Sequence, residues 1–328
     1  MMRFLYFSPD GKVRTDIHQG ELNVLAHEQG GVLWVDMSGE DTEKCNLILE
    51  NIFKFHHLAV EDALRQTYVP KLDDWGRYLY MVLYEIGSFT TEQEIVLQNE
   101  LDIFLGEYFL VTYHKSPLKS LDHVWDSCQG DPRYLKRGAP YLFYQLASEM
   151  VSQHFPVFDQ IEVRIDEIED QILRTPKKDT LENIFSLKRS LLRLRRLMLP
   201  QQEVFNRLAR NNFHVITDEQ KYFFRDVYDH YVHFHDLAES QREMVASALE
   251  TYLSATNNRM NEVVKTLTVI TTMFMPITFV STFFGMNFFQ KEVAFGTWSG
   301  QLLFVVAIIL IVLIPTAMFL WMRRKDWM

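Results

Sequence analysis

The side chains best suited to chemistry stand in one row toward the C-terminal end of the chain. Asn261, Val264 or Lys265, Thr268, Thr271 or Thr272, Met275, Thr278 or Phe279, and Thr282 follow one another at steps of three and four, the spacing that holds residues on one face of an α-helix. Most of them offer neutral oxygen. A helix face of such oxygens turns to protein or water. Gly285-Met286-Asn287 closes the same stretch, with an amide oxygen on Asn287 and a glycine that lets the backbone turn. Two plainer readings stand beside this one. An Asn at a helix end also serves as a C-terminal cap, and small hydroxyl residues along one face also serve tight helix packing in lipid.

Other chemistry-bearing sets are weaker. Glu61-Asp62 and Asp73-Asp74 offer carboxylates for a cation, but adjacent acids more often cap a helix or sit on a solvated turn. His230 and His233 can share a helical face, yet His235 points away and no acid completes a compact tetrahedral zinc set. Cys45 and Cys128 have neither metal-ligand spacing nor a disulfide framework and read as structural thiols. There is no Gly-rich phosphate loop, no G-x-S-x-G and no H-E-x-x-H, so the sequence points away from an enzyme.

The element that positions the oxygen row is a membrane span. Thr266 to Phe284 runs about 19 residues without a charge, near the ~20 an α-helix needs to cross the hydrocarbon core. A second uncharged run, Leu302 to Met322, follows after a short loop and ends in Arg323, Arg324 and Lys325. Two spans joined this way form a hairpin, and the basic exit places both ends in the cytoplasm. The first span is rich in hydroxyl residues whereas the second has only Thr316, so the first faces protein or water. One hairpin cannot enclose a pore, so a channel here needs several copies about a symmetry axis. Upstream, no glycine or proline occurs from Asp218 to Met275; one helix of about 67 residues, on the order of 100 Å long, runs from cytoplasm through the bilayer. Val227, Tyr231, Phe234, Ala238, Val245, Leu249 and Tyr252 are its packing positions.

The rest of the chain reads as a cytoplasmic α/β domain. Arg3-Phe7, Val32-Met37, Tyr78-Ile86 and Asn99-His114 carry strand signals, with a turn at Gly106-Glu107, and Asp41 to Phe55 has helical apolar spacing; the sheet should be mostly antiparallel. An acidic helix with Ile161, Ile165, Ile168 and Ile172 and a basic helix over Leu181–Arg207 are joined by a short break at 175–179 and should pair antiparallel. No N-terminal signal precedes this domain. The formal charge is −10, which argues against nucleic acid as a partner and is compatible with attracting cations.

Gly285-Met286-Asn287 at the end of the first of two C-terminal spans, followed by a short outer loop and a basic tail, resembles the CorA family of divalent-cation channels. The likeness extends over Tyr222 to His230, Asn261 to Thr268 and Phe274 to Phe279, and more weakly over His57 to Ala63 and Pro70 to Asp74. What it implies is a funnel-shaped homopentamer in the plasma membrane (the bacterial inner membrane), with α/β cytoplasmic domain, long stalk helix, two C-terminal transmembrane helices and both termini cytoplasmic. It implies a selectivity ring of Gly285, Met286 and Asn287, polar rings at Thr278 and Asn261, and apolar constrictions at Met275, Leu267 and Val264; Thr268 and Thr282 complete the pore lining from the helical row. It also implies a regulatory Mg²⁺ at Asp226, with Glu92 as the candidate partner acid from a neighbouring copy, and transport of Mg²⁺ with Co²⁺ or Ni²⁺ as further ions. Where this chain has Val264 the family usually has a larger residue. The outer loop is near neutral through Lys291 and Glu292.

The resulting division is a cytoplasmic α/β domain over 1–138, paired helices over 139–217, a stalk helix over 218–284 that becomes the first span near 265–284, an outer loop over 285–301, the second span over 302–322 and a basic tail over 323–328. A zinc transporter of the ZntB type is the alternative; those usually carry Gly-Val-Asn, and Met286 favours the first reading. A membrane-anchored scaffold without transport is the third.

Overall fold

The computed structural model describes residues 2–39, 42–90, 95–174, 176–286 and 298–325. They fall into two compact units, Met1–Glu250 and Thr251–Met328.

The first unit is built on a seven-stranded sheet in the order β2-β1-β3-β7-β6-β5-β4. Its strands are β1 (Met2–Phe7), β2 (Val13–Arg14), β3 (Val32–Ser38), β4 (Lys71–Asp74), β5 (Leu79–Thr90), β6 (Ile95–Leu105) and β7 (Phe109–His114). Among the described residues only β3 and β7 pair in parallel; the other five pairings are antiparallel, as expected. Val32 to Val35 and Leu101 to Leu105 are apolar at nearly every position, and such runs bury both faces. At the β6–β7 turn the Gly106 N–H donates to the Phe109 carbonyl at 2.9 Å, and a Cβ on Gly106 would lie 2.3 Å from the Phe109 ring. Only glycine fits there.

Helices α1 (Leu22–Leu25), α2 (Thr42–Asn46), α3 (His57–Leu64), α4 (Lys119–Gly130), α5 (Ala139–Arg174) and α6 (Lys178–Arg210) belong to this unit, and α7 (Asp218–Gly285) begins in it. The single helix expected over Asp41–Phe55 is α-helical only to Asn46, after which Leu47–Ile52 widens to π-type turns. Lys54 then takes a left-handed φ of 55°. The reason is aromatic packing: Phe53 and Phe55 turn into a cluster with Tyr78, Phe104 and Phe109, and that burial outweighs ideal helix geometry.

The paired helices α5 and α6 bury Ile161, Ile165, Ile168 and Ile172 on one and Ile184, Leu187, Leu191 and Leu194 on the other. Several of their charges pair within one helix or with α7. Arg164 pairs with Glu167 inside α5, Lys178 with Glu182 inside α6, and Arg195 of α6 reaches Glu239 of α7 at 3.2 Å. Exposed pairs contribute ~0–1 kcal/mol each and a buried Ile or Leu ~1.5–3, so the apolar stripes hold the pair. Along the first part of α7, Phe224, Val227, Tyr231, Phe234, Ala238, Val245 and Ala248 are buried; Tyr231 stacks on Phe205 of α6 and Phe234 on Phe158 of α5.

The second unit holds the remainder of α7 and α8 (Trp298–Arg324). Both helices are long and apolar enough to cross a membrane. The helix continues through Pro276 in α7 and through Pro315 in α8. Val280 of α7 and Ala307 and Met322 of α8 are buried.

Candidate ion pathway

At 100° per residue, Asn261, Val264, Leu267, Thr268, Met275, Thr278 and Thr282 occupy an arc of about 120° on α7. All seven are exposed in the single chain. The hydroxyls share one geometry. Thr268 donates to the Val264 carbonyl at 2.8 Å, Thr271 to Leu267 at 2.9 Å, Thr278 to Phe274 at 3.0 Å and Thr282 to Thr278 at 2.7 Å. A hydroxyl has one proton and two acceptor lone pairs. With the proton committed to the backbone, what these threonines turn outward is acceptor oxygen, fit to receive hydrogen bonds from the water shell of a cation. Between them Val264, Leu267 and Met275 present apolar surface, the kind that stops ions by dewetting when a passage narrows.

α7 ends at Gly285, and the Met286 N–H donates to the Phe283 carbonyl at 3.4 Å. A Cβ on Gly285 would meet nothing within 4 Å in the chain, so packing within this chain does not require the glycine. Asn287 and Glu92, the expected filter amide and the expected partner acid, lie outside the described residues.

Asp226 is exposed on the first part of α7. Its neighbour is Tyr144 of α5, whose hydroxyl is held above the ordinary tyrosine range by burial and then by the Asp226 charge. Asp226 carries no ion pair among the described residues. The other acids behave differently. Asp62 and Asp73 share the Lys71 ammonium at 2.5 and 2.8 Å, Glu61 pairs with Arg65, and Asp74 accepts from the Gly76 N–H; they are structural. His230 and His233 lie against the Phe155 ring, and His235 sits 3.5 Å from Asp236. Among the described residues no group of three or more His, Cys, Asp or Glu is arranged to hold a metal. Cys45 and Cys128 are buried and not joined in a disulfide, and burial pushes the Cys128 thiol up to about 12.

One polar cluster has almost no signature in the sequence. Asp36, fully buried in the middle of β3, accepts from Arg3 Nε at 2.8 Å and from the Thr112 hydroxyl at 2.7 Å, and lies 3.3 Å from His114 Nε2. Burial pushes its carboxyl up, but His114, Thr112 and Arg3 outweigh burial and hold it below the ordinary carboxylate range. The same pair raises His114 against its own burial. The only sequence signal is a lone acid inside an apolar strand. A second buried acid, Glu85 of β5, receives the Lys119 and Ser120 N–H groups at 3.2 and 3.1 Å and so caps α4.

A family model described as CorA-like Mg²⁺ transporter protein matches residues 29–324. The Bacillus subtilis protein YfjQ, named as a metal ion transporter, is 32% identical over 296 residues, 90% of this chain and 89% of that one. The cobalt/magnesium transport protein CorA of Thermotoga maritima is 29% identical over 90% of this chain and 83% of its own. Among solved structures, the complete CorA magnesium transporter from Methanocaldococcus jannaschii superposes with a TM-score of 0.82 at 20% identity, covering 100% of this chain and 99% of that one.

Proposed function

The chain belongs to the CorA-like Mg²⁺ transporter family and is a membrane transporter of divalent cations, and from that premise we propose that it is a homopentameric channel for Mg²⁺ influx, with Co²⁺ or Ni²⁺ as further ions. The observation that carries this reading is the row of back-bonded hydroxyls on the exposed face of α7, directly ahead of Gly285-Met286-Asn287. Five copies about an axis turn each such position into a ring of acceptor oxygens. An ion that keeps its water shell is held there through its waters, weakly enough to leave again. Asn287 supplies the outermost ring. Met275, Leu267 and Val264 supply the apolar constrictions, and lipid covers the outer face of α8 in the cell's plasma membrane, with both termini on the cytoplasmic side.

Gating follows from Asp226. Five unpaired carboxylates brought near one another repel, and Mg²⁺ between subunits, with Glu92 as the partner acid, relieves that repulsion and favours the packed, closed arrangement. Internal Mg²⁺ thereby limits its own entry. The test is uptake into proteoliposomes under an inside-negative potential, with internal Mg²⁺ varied and Zn²⁺ offered in competition. Mg²⁺ flux that falls as internal Mg²⁺ rises, and loses that dependence in Asp226→Asn, supports the reading; Zn²⁺ flux without Mg²⁺ flux overturns it in favour of a zinc transporter.

A further inference from the structure

The long β5–β6 hairpin has an open side. β4 pairs with β5 only between Leu79 and Val82, whereas β5 runs on to Thr90, so beyond Val82 the N–H groups facing away from β6 have no strand to bond among the described residues. A buried N–H left that way is costly. Two helices supply the acceptors. The Tyr84 N–H donates to Gln201 Oε1 of α6 at 2.7 Å, and the Ile86 N–H donates to His154 Nε2 of α5 at 3.1 Å. Residues two apart on a strand project these groups to the same side, and both acceptor side chains are 0% exposed.

His154 has a second contact. Its ring meets Tyr231 and Phe234 of α7 edge-on, with centroids 5.9 and 5.6 Å apart. Burial holds its pKa down to about 3, so at cytoplasmic pH the ring is neutral; with Nε2 accepting, the proton sits on Nδ1. Among the described residues, Gln201 Nε2 and the Tyr231 hydroxyl are buried without a hydrogen-bond partner. An apolar side chain at either position would leave the Ile86 or the Tyr84 N–H buried without its acceptor, so it is as acceptors that His154 and Gln201 matter here.

We infer that His154 and Gln201 are positioning residues that latch the open edge of the β5–β6 hairpin to α5 and α6 and, through the His154 ring, to the cytoplasmic part of α7. The inference rests on the gating reading above and gives the internal-ion response a physical route: a displaced hairpin carries the ring that packs on the ion-conducting helix. The experiment uses the full-length protein in proteoliposomes, comparing wild type, His154→Leu and His154→Gln, with Mg²⁺ flux read against internal Mg²⁺ and hydrogen exchange read on the β5 amides. Loss of the acceptor in His154→Leu should speed Ile86 exchange by about tenfold and move the half-inhibiting internal Mg²⁺ by about fivefold, with flux at low internal Mg²⁺ unchanged. The Gln side chain offers an amide oxygen to the same N–H and should return both readouts to within about twofold of wild type. Faster Ile86 exchange with an unaltered Mg²⁺ response overturns the positioning role, and unaltered exchange overturns the latch itself. If His154→Leu fails to fold, Gln201→Leu takes its place: unaltered Tyr84 exchange then overturns the latch, and faster exchange with an unaltered Mg²⁺ response overturns the positioning role. A wild type indifferent to internal Mg²⁺ overturns the gating reading and the coupling with it, while the exchange data still report on the latch.

Discussion

α7 carries apolar spacing of threes and fours twice, and its two parts end differently. In the first part Tyr231 and Phe234 are 0% exposed, packed by α5 and α6 of the same chain; in the second, Met275 is 68% and Phe279 70% exposed. Periodicity tells only that a face is used. Composition tells by what: the first part sets its aromatics among charged residues and packs them within its own chain, whereas the charge-free second part turns threonines, methionines and phenylalanines alike outward, to lipid, water or other copies of the chain. On the proposed function, the first part serves stability and the exposed second part serves transport.

The comparison breaks most visibly through the buried positions. Phe234→Ala should destabilise the protein by about 3–5 kcal/mol, seen as a lower thermal or urea midpoint in detergent, while Met275→Ala should leave that midpoint within about 0.5 kcal/mol and change Mg²⁺ flux instead. Equal loss of stability from both would erase the distinction between the two parts of the helix. Asp36→Ala comes next, because it leaves His114 buried without its counter-charge, whereas half-buried Arg3 keeps Asp122 at 2.6 Å, and the cost should approach about 3 kcal/mol.

The same cluster sets a pH dependence whose sign is fixed. His114 is raised above its ordinary 6.5 in the folded state, so its contribution is full below that value and fades as pH rises through the folded pKa. Asp36 is lowered below its ordinary 3.8, so its contribution is full above that value and fades as pH falls through the folded pKa. Stability from the pair should therefore plateau between about pH 4 and 6.5 and decline on both sides; equilibrium unfolding of wild type against Asp36→Asn across pH reads this directly, and a variant with the same profile as wild type would remove the pair from the explanation.

Smaller effects sharpen the picture. Gly106→Ala forces the Phe109 ring away from the β6–β7 turn and should cost about 1–3 kcal/mol, read from the unfolding midpoint. Thr278→Val should leave the midpoint unchanged and lower Mg²⁺ flux by about two- to tenfold, the rate equivalent of one hydrogen bond. Thr278→Ser, which keeps the oxygen, should restore it. A valine variant that conducts like wild type would make the hydroxyl row a packing device.

Much of this is legible in the sequence. The two apolar C-terminal helices, the continuous helix from Asp218 and strands β1, β3, β5, β6 and β7 follow from charge-free runs, the absence of Gly and Pro, and apolar patterning, and the family from Gly285-Met286-Asn287 with the stretches upstream; the short strands β2 and β4 do not. What escapes depends on tertiary contact. The π-type turns at Leu47–Ile52 answer to an aromatic cluster assembled from distant segments. His154 and Gln201 bond backbone amides 68 and 117 residues away, which no local pattern reports. For the candidate site, spacing gives the face of α7, but the commitment of each threonine proton to the carbonyl four residues back appears only in three dimensions.

Transport along the oxygen face of α7 and through the Asn287 ring is tested most directly by the initial rate of Mg²⁺ uptake into proteoliposomes. The rate is measured at low internal Mg²⁺ under an inside-negative potential, comparing wild type with Asn287→Ala at equal incorporation and equal unfolding midpoint. It should fall by at least about tenfold when the amide oxygen is removed; an alanine variant that takes up Mg²⁺ at the wild-type rate would contradict passage through that ring.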